Sequence, residues 1–311
     1  MQNSIFNKKT LIKYLLWVFL ISWTLQIGVA ILYHQGLQNI GQLVLLVVMY
    51  VPMLSVFLSG ESISHMGWEL QFKGKIKHIL IAWFSPAILT TIGAILYFAI
   101  FPKYFDLTGE YIVSIAGPEV MNQLYEQGLT YPIYILISII STITYAPLIN
   151  MVAALGEEVG WRGFMYPQLK TKFGTRKGVL IGGIIWGIWH WPVIWLIGYE
   201  YGTNYVGFPI SGMLLFCIIT VALGIITDWL YEKSNSILIP SIFHGSINAA
   251  ATIPLALCKA SVGSTILLGP APIGILAGLP MIIFAIALLF RVTNNKELYK
   301  KEMKIKKRRE R

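Results

Sequence analysis

Residues 131–164 read YPIYILISIISTITYAPLINMVAALGEEVGWRGF, an apolar run long enough to cross a bilayer that ends in two adjacent carboxylates and a guanidinium. Placing such a charge at mid-bilayer costs roughly 2.5 to 3.5 kcal/mol, so Glu157, Glu158 and Arg162 require partners or a polar cavity. Glu158 and Arg162 stand four apart with the acid first, the favourable order for an ion pair on one helix face. Glu157 is turned about 100° away by the helix period and has no such partner in its own segment. Glu158 with Arg162 is therefore expected to serve structure, and Glu157 chemistry.

The rest of the chain calls for the same solvent. Of 311 residues, 56% are hydrophobic and 12% charged, and the mean hydropathy is +0.67, leaving too little polar surface to cover a soluble globule. Further apolar runs lie near residues 11–33, 41–59, 79–101, 178–198, 210–231, 236–257 and 270–291. Together with 131–156 they predict an all-α polytopic transmembrane bundle of about eight spans. The net charge of +10 reads as membrane topology rather than nucleic-acid binding, because the lysines and arginines fall in alternate loops. Lys8, Lys9 and Lys13, then Lys73, Lys75 and Lys77, then Arg162, Lys170, Lys172, Arg176 and Lys177, then Lys233, and finally the C-terminal tail share one side. The opposite loops hold His34, a segment with Lys103 against Asp106, Glu110, Glu119 and Glu126, then Glu200 and Lys259. Both termini are accordingly expected in the cytosol, in a bacterial plasma membrane.

The first apolar run is longer than a signal-peptide core and lacks a small-x-small cleavage site, so it is read as a retained span. No polar stretch is long enough for a second domain. Residues 1–295 form one transmembrane domain with its motif-bearing core at 131–257, and 296–311 form a basic cytosolic tail. There Lys304, Lys306, Lys307, Arg308, Arg309 and Arg311 can each gain on the order of 1 kcal/mol from anionic lipid. Cys217 and Cys258 cannot by themselves build a disulfide framework or a thiolate zinc site and are read as packing residues. Glycines four apart, Gly156 with Gly160, Gly178 with Gly182, Gly183 with Gly187 and Gly274 with Gly278, predict close helix contacts. Pro147 and Pro240 each remove a backbone donor, which predicts kinks in the fourth and seventh spans.

Two further spans carry polar groups. Trp186 precedes His190 by one turn in the fifth, and His244 precedes Asn248 by one turn in the seventh. Each has a bland reading: a histidine among aromatics is often a satisfied core residue, and a His–Asn pair can simply join helices for about 1 kcal/mol. Depth argues otherwise. Helical rise places His190 and His244 about 12 to 18 Å from the lysine-rich ends, and Glu157 reaches a similar level if its helix runs on to Leu169. Structural polar residues need not share a depth. His34, His65 and His78 sit in or beside loops and are read as solvated.

The ordered set Glu157-Glu158-x-x-x-Arg162, Trp186-x-x-x-His190 and His244-x-x-x-Asn248 resembles the CPBP family, also called the Abi or CAAX-protease family of intramembrane endopeptidases. The resemblance covers residues 131–257. Its second motif commonly begins with Phe where this chain has Trp186, which keeps an aromatic wall but changes its width. The resemblance implies peptide-bond hydrolysis by a glutamate-activated water. Glu157 would be general base, His190 would hold and polarise the water, and His244 with Asn248 would donate to the oxyanion. Substrates would be membrane-associated proteins or peptides, in CAAX-type processing or in bacteriocin maturation or self-immunity, reached through a cavity open to the cytosolic side.

Three other readings compete. Glu157, His190 and His244 could instead ligate zinc, although no His-Glu-x-x-His pattern occurs and Asn248 suits an oxyanion better than a metal. The expectation is no cofactor, with zinc as its rival. Intramembrane charges also mark transporters, yet no repeated pair of broken helices stands out. A non-catalytic membrane immunity or scaffold protein could keep the same fold.

Overall fold

The computed structural model describes residues 6–70 and 72–291; the expected basic tail lies outside them. The chain is all-helical there, its single strand-like contact being an isolated bridge between Phe105 and Cys258. The N-terminal helices are α1 (Lys8–His34), α2 (Gln38–Val48), α3 (Val51–Leu58) and α4 (Ile76–Ile100). Two short helices, α5 (Glu110–Ala116) and α6 (Glu119–Glu126), lie in the long connection before α7 (Tyr131–Ile143) and α8 (Ala146–Glu158). A π-helical segment, Val159–Met165, joins α8 to α9 (Tyr166–Phe173). The remainder is α10 (Thr175–Trp189), α11 (Trp191–Ile197), α12 (Ile210–Ser234), α13 (Leu238–Ala256) and α14 (Ile275–Arg291).

Among the described residues four helices are long and apolar enough to cross a membrane, or up to six if each bent pair counts as one span. The expected eighth run corresponds to the 17-residue α14, and the seventh to the 19-residue α13. Two expected spans are broken. The pair α2 and α3 bends by 42°, and the opening run bends by 57° between Ile143 and Ala146 before continuing to Phe173. Pro147 lies in the first turn of α8, beyond that break, and Pro240 in the first turn of α13. A first-turn N–H has no intrahelical acceptor to lose, so Pro240 does not mark the kink that sequence predicted. The outward faces are apolar, with Leu16, Leu20, Leu43, Ile95 and Ile149 each exposed by more than half, as lipid requires.

Helices meet at the glycines. A Cβ on Gly245 of α13 would stand 2.4 Å from the Met151 nitrogen of α8, and one on Gly183 of α10 would stand 2.5 Å from Val221 Cα of α12. Gly160 lies against Pro52 in the same way, so α3 rests directly on the π-helical segment. Such contacts let backbones approach without a hydrophobic driving force. At the lysine-rich end, Lys170 of α9 pairs with Asp228 at 2.6 Å and Glu232 at 2.8 Å, both on α12.

Candidate active site

The three motif helices converge because α8 packs on α13 through Gly245, while α10 follows directly from α9 with Gly178 against the Lys170 backbone. Glu157 is 2% exposed and accepts two indole N–H bonds on one oxygen: Trp161 Nε1 to Oε2 at 3.1 Å and Trp186 Nε1 to Oε2 at 2.7 Å. Trp161 is the i+4 neighbour of Glu157. The partner that the sequence did not offer as a charge is thus present as a neutral donor. The other carboxylate oxygen has no protein hydrogen bond among the described residues, and Glu157 lines the cavity.

Glu158 is fully buried and serves two groups through one oxygen. Arg162 Nη1 donates to Oε1 at 2.9 Å, and His244 Nδ1 meets the same atom at 2.9 Å. The i,i+4 pair read from sequence is present, and the π-helical turn that begins at Val159 leaves it intact. Sequence reasoning missed the second duty: Glu158 also orients His244. The Arg162 guanidinium lies over the Trp186 ring at 4.3 Å and the Tyr166 ring at 4.8 Å, which satisfies its charge where hydrogen bonds do not.

His190 lies at a one-residue turn inside the 23-residue span Thr175–Ile197. It occupies the junction between α10 and α11, where Pro192 opens the next helix, and its Nδ1 meets the Trp186 carbonyl oxygen at 3.0 Å. Trp189 and Phe216 meet it edge-on at 4.6 and 4.7 Å, and Tyr199 lies parallel to it at 6.3 Å. Since a carbonyl oxygen only accepts, Nδ1 carries the proton and Nε2 presents a lone pair in the neutral ring. His244, one turn before Asn248 on α13, packs against Trp186 at 5.3 Å.

Glu157, His190, His244, Asn248 and Trp186 all line one cavity of about 440 Å³. That volume lies in the ordinary range for clefts that take up a ligand. Its exposed lining residues Gln42, Leu46 and Thr252 stand on α2 and α13, and its wall runs along α13 from His244 to Leu255 and across to Tyr199 and Glu200. Sequence reasoning overlooked Gln26, Asn150, Tyr199 and Glu200 as lining residues. Gln26 and Asn150 were legible by the rule that found the histidines, being polar groups inside apolar helices. Gln26 Nε2 holds the Trp189 carbonyl at 2.9 Å, which steadies the turn carrying His190. Tyr199 and Glu200 lie in a connection and gave no such signal.

Zinc requires three donors converging on one point. Each histidine is held through Nδ1, which leaves Nε2 toward the cavity, and one Glu157 oxygen holds two indoles; among the described residues no group of three His, Cys, Asp or Glu side chains stands close enough to hold a metal ion.

Comparison with known proteins points the same way as the motifs. Residues 135–250 match the family described as type II CAAX prenyl endopeptidase Rce1-like. A CAAX prenyl protease 2 of Methanococcus maripaludis is 33% identical over 99 residues, 32% of this chain. The match spans 36% of that relative's own length. The family resemblance carried by the three motifs is borne out.

Proposed function

We propose that the chain is an intramembrane endopeptidase of glutamate type that hydrolyses a membrane-associated protein or peptide without a resident metal. The observation that carries this reading is the convergence of Glu157, His190, His244 and Asn248 on one cavity, with both imidazoles fixed through Nδ1. A water held by the His190 Nε2 lone pair gives a proton to the free oxygen of Glu157 as its own oxygen bonds to the scissile carbonyl carbon. The carbonyl oxygen becomes the oxyanion. Asn248 Nδ2 donates to it, and His244 does so through Nε2 as the imidazolium, because Nδ1–H already faces Glu158. The C–N bond then breaks and Glu157 returns its proton to the departing amine. The relatives' names carry a prenylated tail over as the first substrate to try, with bacteriocin maturation or self-immunity second. The basic tail is assigned to anionic lipid.

Two directions of access are open to test. The sequence reading expected a mouth on the cytosolic side, where the lysine-rich loops lie. The wall that runs from His244 to Glu200 favours entry between α2 and α13, nearer the opposite loops. Cleavage of a membrane-impermeant peptide by inside-out but not right-side-out vesicles supports the cytosolic mouth, and the reverse supports the other.

Detergent-purified protein should cleave prenylated or acylated peptides, and Glu157→Gln should not. Equal rates for the two proteins would remove the proposed base. After stripping with a strong chelator, activity should persist; inactivation that added zinc reverses, with zinc stoichiometric to protein, would overturn the metal-free assignment alone.

A further inference from the structure

Outside the motif residues, one group on the cavity wall is held at a conformational cost. Glu200 follows α11 in the connection Gly198–Gly202 and has φ +68°, a left-handed conformation that glutamate rarely adopts. The Tyr201 N–H donates to the Tyr199 carbonyl at 2.9 Å, closing a three-residue γ-turn centred on Glu200. With positive φ at its centre, this turn is rare and strained. Gly198 and Gly202, on either side, also have positive φ, at 67° and 66°, and bear no side chain to strain. Only at position 200 does the loop keep a side chain in that conformation, and the residue lines the same cavity as Glu157 and His190.

Its surroundings show what it lacks. Glu200 is partly accessible yet densely surrounded by protein, as a side chain on a cavity wall is. Burial pushes its carboxyl up from the ordinary carboxylate range, with the Tyr199 hydroxyl partly offsetting this as a hydrogen-bond donor. No ion pair of Glu200 occurs among the described residues, and the cavity lining contains two carboxylates and no lysine or arginine. A carboxylate entering this space meets like charge. An ammonium or guanidinium group meets an unpaired acid that Tyr199, stacked on His190, ties to the reacting end.

We infer that Glu200 and Tyr199 form a subsite for a lysine or arginine side chain of the substrate, close to the bond that the Glu157-activated water attacks. This rests on the peptidase reading and adds to it a preference for a basic residue near the scissile bond.

The test separates binding from cleavage. N-myristoylated fluorescent octapeptides carrying Lys, norleucine or Glu at one scanned position are titrated onto Glu157→Gln protein in detergent, with and without Glu200→Gln, and the same peptides are offered to wild type. At one position Lys should bind about tenfold tighter than norleucine, and Glu200→Gln should abolish that difference while norleucine binding is unchanged. Glu200→Gly should raise Tm, since glycine relieves the strained φ, and still lose the preference. A Lys preference that depends on Glu200, found without cleavage by wild type, upholds the subsite and overturns the peptidase reading. Equal affinity for Lys and norleucine at every position overturns the subsite, whether or not wild type cleaves. A preference that survives both Glu200 variants overturns it as well.

Discussion

At the scale of single residues, the site divides into groups that face the cavity and groups that hold them. Glu157, His190, His244 and Asn248 belong to the first set, so Glu157→Gln, His190→Ala, His244→Ala and Asn248→Ala should each lower kcat strongly with folded yield retained. Loss of one oxyanion donor alone costs on the order of a hundredfold. Glu158 and Arg162 belong to the second set. Removing either leaves a charge buried without its partner, a loss of roughly 3 to 5 kcal/mol, so Glu158→Gln and Arg162→Ala should reduce folded yield and Tm in detergent as well as rate. Glu158→Gln should be the more damaging to turnover at equal yield, because it also releases His244. Normal turnover in folded Glu158→Gln protein would show that the His244 contact is dispensable. The pairing of Glu158 with Arg162, and not of Glu157, was readable from the spacing. The Trp161 donor to Glu157 was legible by the same i,i+4 spacing; the Trp186 donor was not, because it reaches Glu157 from a different helix.

At the scale of elements, the active geometry depends on how closely helices approach. Gly245 follows His244 directly, and a Cβ there would stand 2.6 Å from the Pro147 carbonyl oxygen as well as against Met151. Both neighbours are backbone and cannot rotate away. Gly245→Ala should therefore cost roughly 1 to 3 kcal/mol, and Gly245→Val should push α13 from α8 and abolish turnover even where protein is recovered. Melting curves beside rates of the purified variants check this, and a fully active Gly245→Val protein would contradict the packing. In the connection before α5, burial works against the Asp106 charge, but hydrogen bonds from Thr108, Gly109 and Glu110 outweigh it and hold the carboxyl below its ordinary range. A depressed value means stability that is present above the unfolded pKa of about 3.9 and is lost as pH falls through the folded one. Asp106→Ala should lower stability by about 1 kcal/mol at pH 7, with the difference from wild type closing below about pH 4. An undiminished difference in acid would assign the loss to packing.

At the scale of the whole molecule, the lysine distribution makes a topological prediction. Cys217 and Cys258 are both buried, so a cysteine introduced at an exposed position can be labelled over little background. Lys73→Cys should react with an impermeant thiol reagent only in inside-out vesicles, and Glu119→Cys only in right-side-out ones. Labelling of both from the same side would require an odd number of crossings between residues 73 and 119 to be given up, and with it the passage of α4 across the membrane.

Composition and hydropathy by themselves determined that the chain folds in lipid as helices, because a polar deficit this large and apolar runs this long leave the backbone no other way to satisfy its hydrogen bonds. The three motifs, at fixed spacing along their own helices, named residues that line one cavity and the Glu158–Arg162 pair, since i,i+4 neighbours on one helix need no tertiary information. Only the packed structure decided that Glu158 also carries His244, that two indoles from different elements hold one oxygen of Glu157, and that His190 stands at a one-residue turn within its span. Only there, too, does Glu200, distant from every motif, come to share the cavity. Those relations are contacts between segments far apart in sequence. Glycine-mediated approach of one helix to another fixes them, and no periodicity within a single segment records it.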